Sequence, residues 1–71
     1  MLEICSLATS GQVVVNLQDN GGHHHLWKFD VNNPWARANV LLELINLANN
    51  GRIPGCVLMA YSTAMRHYLR R

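Results

Sequence analysis

Three consecutive histidines, His23, His24 and His25, are the densest run of potential metal ligands in the chain. On an extended segment His23 and His25 project from one face and His24 from the other. Two neutral imidazoles at i and i+2 can share an ion, but zinc takes four ligands, or three and a water. The remaining donors are His67, Cys5, Cys56, Asp19 and Asp30, and none stands at a diagnostic spacing. His23 and His25 are therefore weak metal candidates, and the expectation is that no metal or other cofactor is required.

A second constellation is basic. Arg66 and Arg70 are one helical turn apart, Arg71 follows, and Lys28 and Arg52 stand earlier in the chain. A cationic helix face can contact phosphates, and nearby aromatic rings can stack on bases. Tyr61 and Tyr68, however, belong to the apolar stripe of the same helix. A formal charge of +2 also limits counterion release, and with it non-specific affinity. Lys28, Arg52, Arg66, Arg70 and Arg71 thus define an alternative reading, a nucleic-acid-binding regulator, rather than the leading one.

Catalytic chemistry finds little to work with. The carboxylates Glu3, Asp19, Asp30 and Glu43 fall on different elements and form no local pair. Ser6, Ser10 and Ser62 lack the context of an activated nucleophile, and no glycine-rich phosphate loop precedes a helix. A thiolate at Cys5 or Cys56 would need an accessible, positively polarised setting. A chain of 71 residues is also small to enclose a pocket of several hundred Å³. A non-enzymatic protein is expected.

The elements that would carry these groups divide the chain in two. Up to about Val31 the apolar residues alternate or cluster in β-branched runs, and after Pro34 they recur at helical spacing. The first half predicts three strands: Leu2 to Ala8, Gln12 to Gln18 and His23 to Asp30. Thr9-Ser10-Gly11 offers a turn between the first two, and Asp19-Asn20-Gly21-Gly22 a hairpin loop between the next. A three-residue loop, Asn20 to Gly22, pairs Val13 with Phe29, Val15 with Trp27 and Leu17 with His25. That register puts the apolar set on one face, whereas a one-residue slip mixes the faces. In the first strand either Leu2 and Ile4 or Cys5 and Leu7 point inward.

The second half predicts two helices. Asn33-Pro34 supplies a cap and a first-turn proline, and Asn49-Asn50-Gly51 a stop. Arg52 to Gly55 connects to a second helix that runs near to the carboxyl end, and so short a link favours antiparallel neighbours. The expected architecture is α+β: a three-stranded antiparallel β-meander, then an antiparallel helix pair packed on one sheet face, in the order βββαα and within one domain over residues 1–71.

The two helices differ in their faces. In the second, Val57, Leu58, Tyr61, Ala64, Met65, Tyr68 and Leu69 form one stripe opposite Met59, Ser62, Thr63, Arg66, His67 and Arg70, as in an ordinary surface helix. In the first, only Asn39, Glu43 and Asn46 form a consistent polar strip, so the apolar sector spans roughly 240° against the ~100° that a surface helix needs. A small sheet and one helix are narrow covers for such a sector. The expectation is that a second copy or another protein covers the rest, with Trp35, Val40, Leu44, Leu47 and Ala48 as the interface. Trp27 and Trp35 flank the passage from strand to helix, where an exposed Trp would serve as an anchor.

Composition limits the class further. With 49% hydrophobic and 14% charged residues the chain is not a disordered tail. No apolar run reaches the ~18 residues of a membrane span, and the amino end lacks the basic start and apolar stretch of a secretory signal. Cys5 and Cys56 lie in apolar surroundings that suit buried free thiols, consistent with a reducing compartment, and the cytoplasm is the expected location. The leading expectation is a small intracellular protein-interaction module or regulator, acting as a homodimer on a larger macromolecular partner.

Overall fold

A computed structural model describes residues 2–6 and 11–69. Three strands, β1 (Leu2–Ser6), β2 (Gln12–Gln18) and β3 (His24–Asp30), are followed by helices α1 (Pro34–Asn49) and α2 (Cys56–Leu69). The strands form one antiparallel sheet in the order β1-β2-β3, so the fold is the βββαα arrangement. The Thr9-Ser10 part of the first turn and Leu7 and Ala8 of the first strand lie outside the described residues.

The β2–β3 register pairs Val13 with Phe29, Val15 with Trp27 and Leu17 with His25, as the alternation requires. Gly22, at φ +83, takes the left-handed position of the three-residue loop, where a Cβ would be strained. The open choice in β1 resolves toward Leu2 and Ile4, which pair with Leu17 and Val15 and pack on the core, while Cys5 is exposed. Cys56 is exposed too. The expectation of buried thiols is thereby corrected: Cys5 falls on the outer face of the sheet, and Cys56 opens α2 on its solvent side.

Local chemistry sets the ends of α1. The Asn33 side chain accepts from the backbone N–H groups of Trp35 and Ala36, at 3.1 and 3.2 Å, with Pro34 at the first helical position. At the other end the Arg52 N–H reaches the Leu47 carbonyl and the Gly51 N–H the Ala48 carbonyl, with Gly51 at φ +72. This is a Schellman motif, which satisfies carbonyls that would otherwise lack donors.

Both helices pack on the face of the sheet that carries Val13, Val15, Leu17 and Phe29. The core adds Val31, Val40, Leu44, Ile53, Tyr61 and Met65. Tyrosine hydroxyls fasten α2 at two places: Tyr61 donates to the Arg37 carbonyl of α1 at 2.9 Å and Tyr68 to the Ile4 carbonyl of β1 at 3.3 Å. Burial pushes the Tyr61 phenol up to about 12.

Candidate interaction surface

The site is best built from Asp19, just beyond the end of β2. Its side chain is fully buried, and Oδ1 accepts from the backbone N–H groups of Gly21 at 2.9 Å and His23 at 3.0 Å. The His25 Nε2 lies 3.0 Å from Oδ2 and must be the donor, because an ionised carboxylate only accepts. Arg52 brings positive charge to 3.8 Å from the same oxygen. The bond from His25, followed by the two backbone donors, outweighs burial and holds the Asp19 carboxyl down at about 2.

This carboxylate ties the β2–β3 loop to the link between the helices. Asn20 reinforces the tie, its backbone N–H reaching the Arg52 carbonyl at 2.8 Å and its side-chain amide the Gly51 carbonyl at 3.2 Å. The position of α1 relative to β3 is thus set by polar groups at one end and by the apolar core along its length.

From Asp19 the contacts continue toward the solvent edge of β3. The rings of His25 and Trp27 stack with centroids 5.9 Å apart and planes within 11°. The Trp27 indole N–H donates to the Glu43 carboxylate on α1. Between β3 and α1 lies an open groove of about 550 Å³, with Leu26, Lys28 and Phe29 on the strand side and Asn39, Leu42 and Asn46 on the helix side. A neighbouring hollow of about 340 Å³ continues past His25, Trp27, Glu43 and Asn50.

Among the described residues, three of the five large exposed apolar side chains belong to α1 and β3, while Met59 and Leu69 are exposed on α2. Leu42, 57% exposed, stands on the helix wall of the groove, and Leu26, 62% exposed, bounds it at the β3 edge with its side chain on the outer face of the sheet beside that of Lys28. Trp35 is 80% exposed. At 100° per residue, Trp35, Asn39, Leu42 and Asn46 fall within roughly 60° of one another, so the outer stripe of α1 runs from the indole into the groove.

The expected interface therefore needs correction. Val40 and Leu44 are buried in the chain's own core, and Leu47 and Ala48 are half-buried against it. Of the five residues expected at the interface, only Trp35 is exposed. The lone chain covers the Val40–Leu44 side of the apolar sector and leaves the Trp35–Leu42 side open. The Arg37 side chain, which donates to the Val31 carbonyl, holds the start of the helix at this roll.

The other sequence-derived candidates are placed apart. His23 and His25 both turn to Asp19, so their immediate role is to pin the loop; among the described residues no group of three or more His, Cys, Asp or Glu is arranged to hold a metal ion. Lys28 lies on the outer face of the sheet, Arg52 faces Asp19 beside the hairpin loop, and Arg66 is on the exposed side of α2. About ten residues of α2 separate Arg66 from the Arg52 end of that helix, roughly 15 Å at 1.5 Å per residue. Arg70 and Arg71 lie outside the described residues. No helix among the described residues is long and apolar enough to cross a membrane.

No family model matches this chain, and no curated protein or solved structure matches it significantly.

Proposed function

We propose that this chain is a non-enzymatic protein-interaction module that binds its partners through the flank formed by α1 and β3. The observation that carries this reading is the exposure of Trp35 and Leu42 along the outer stripe of α1, with Leu26 exposed at the β3 edge that bounds the same groove. A partner that covered these three large side chains would remove apolar area from water at about 25 cal/mol per Å². An exposed Trp35 on a stripe shared with Asn39 and Asn46 has the composition of an anchor with a polar rim.

The carboxylates nearest the groove already have partners, Glu43 the Trp27 indole and Asp19 its loop donors, which favours binding over acid–base chemistry. Two free, exposed thiols suit a reducing compartment, and the cytoplasm is the location we propose.

The test is position-resolved photo-crosslinking in the native cell, with a photoreactive side chain placed in turn at Trp35, Leu42 and Thr63. Thr63 is exposed on α2, away from the groove. Discrete protein adducts from Trp35 and Leu42 and none from Thr63 are the expected result. Equal labelling from all three positions, or adducts that are nucleic acid alone, would overturn the reading.

A further inference from the structure

The edge of β3 narrows the choice of partner. Asp19 donates through its backbone N–H to the His23 carbonyl, and Val31 donates likewise to the Gly11 carbonyl, at 3.0 and 3.1 Å. Between these bonded pairs the register runs without a bulge. Alternation then directs the backbone groups of His25, Trp27 and Phe29 toward β2, and those of His24, Leu26, Lys28 and Asp30 away from it. Among the described residues no other strand lies on that side. β3 also lacks most of the devices that blunt an edge: it carries no proline and no bulge, and Lys28 is its one lysine.

Resting on the proposed reading of this flank as the binding surface, we infer that its occupant is a second copy of the chain. The two β3 strands pair antiparallel about a two-fold axis at Trp27 and extend the sheet through both copies. Self-complementarity of the strand argues for this pairing. With the axis at Trp27 every residue of β3 finds a partner, whereas moving the axis by half a residue or more along the strand leaves strand ends unpaired.

The side chains agree with this register. Leu26 faces the partner's Lys28, and His24 faces the partner's Asp30, an imidazole donor against a carboxylate acceptor. Shifting the axis to Lys28 sets two lysines against each other, and shifting it to Leu26 sets His24 against the partner's Lys28. The pairs through Leu26 and Lys28 exchange backbone hydrogen bonds, while the two Trp27 residues form a non-hydrogen-bonded pair at the axis. On the helix side the axis brings the exposed Leu42 stripes of the two copies toward each other, while Leu26 packs beside the partner's Lys28 on the outer face of the sheet.

Sedimentation equilibrium of the purified chain should return twice the 8.0 kDa chain mass. Leu26→Pro removes an N–H that the chain's own ladder does not use, so it should weaken association by at least about tenfold while the circular dichroism persists. The register is read by single cysteines in a Cys5→Ser, Cys56→Ser background. A non-hydrogen-bonded pair has Cα atoms about 4.5 Å apart, within disulfide range, so oxidised Trp27→Cys should link two chains. Leu26→Cys, offset by two residues from its symmetry mate, should not.

If Leu26→Pro unfolds the chain, the cysteine pair still decides. Linkage through Leu26→Cys in place of Trp27→Cys, or a monomeric wild-type mass, would overturn the inference. A monomer that still gave protein adducts at Leu42 would leave the proposed function standing with a different partner. A monomer with no adducts would remove both.

Discussion

Asp19 shows how much a single side chain can organise. A buried carboxylate is costly unless its lone pairs are filled, and here two backbone donors, an imidazole and a nearby guanidinium share the task. The folded chain therefore holds the ionised form down to about 2, against an ordinary value of 3.8. A depressed folded-state pKa contributes stability that is complete above 3.8 and is lost as the pH falls toward 2. Urea midpoints measured from pH 5 downward should drop steeply through that window in the wild type. In Asp19→Asn the stability at pH 5 should be lower and the acid-dependent drop shallower; parallel pH profiles would contradict this account. In the sequence the residue was legible as turn chemistry before Asn20-Gly21 and as one of several scattered carboxylates, not as a buried anchor. Its burial depends on Arg52 and Asn20 meeting across the β2–β3 loop and the helix link, which no local pattern displays.

Among the elements, α1 marks where sequence pattern stops being sufficient. The register of β2 and β3 could be derived because period-two alternation allows one buried face and the Asn20–Gly22 loop selects the same pairing. The ends of α1 could be derived as well, since Asn33-Pro34 and Asn50-Gly51 act through nearby backbone groups. Its roll could not, because Leu side chains lie on opposite sides of the same helix and amphipathicity gives no vote. The two sides are separated by a direct comparison. Leu44→Ala empties a fully buried site and should cost about 3 kcal/mol of unfolding free energy. Leu42→Ala, on the outer stripe, should stay within about 0.5 kcal/mol. Guanidinium unfolding of the two variants at a protein concentration low enough for the chain to be monomeric checks the orientation without reference to any partner, and similar losses for both would mean that the helix is rolled differently. The same difficulty explains β1, where Leu2/Ile4 and Cys5/Leu7 were equally consistent with the pattern until pairing with β2 chose between them.

For the molecule as a whole, size makes the open flank consequential. A 71-residue chain buries a smaller share of its surface than a larger domain does, so covering one further flank has a large relative effect on stability. If β3 pairs with β3 of a second copy, folding and association become linked and the thermal midpoint depends on protein concentration. At concentrations where the folded form is all dimer, a tenfold increase favours it by about 1.4 kcal/mol per dimer. Divided between two chains of this length, that corresponds to a rise of about 3–5 °C. Leu26→Pro should abolish the dependence, whereas Asn39→Asp, which adds a negative charge of the same sign on each helix flank, should lower the midpoint yet preserve the slope if the strands still pair. A midpoint independent of concentration over two decades would mean that each chain folds alone, and that the apolar flank serves a different protein.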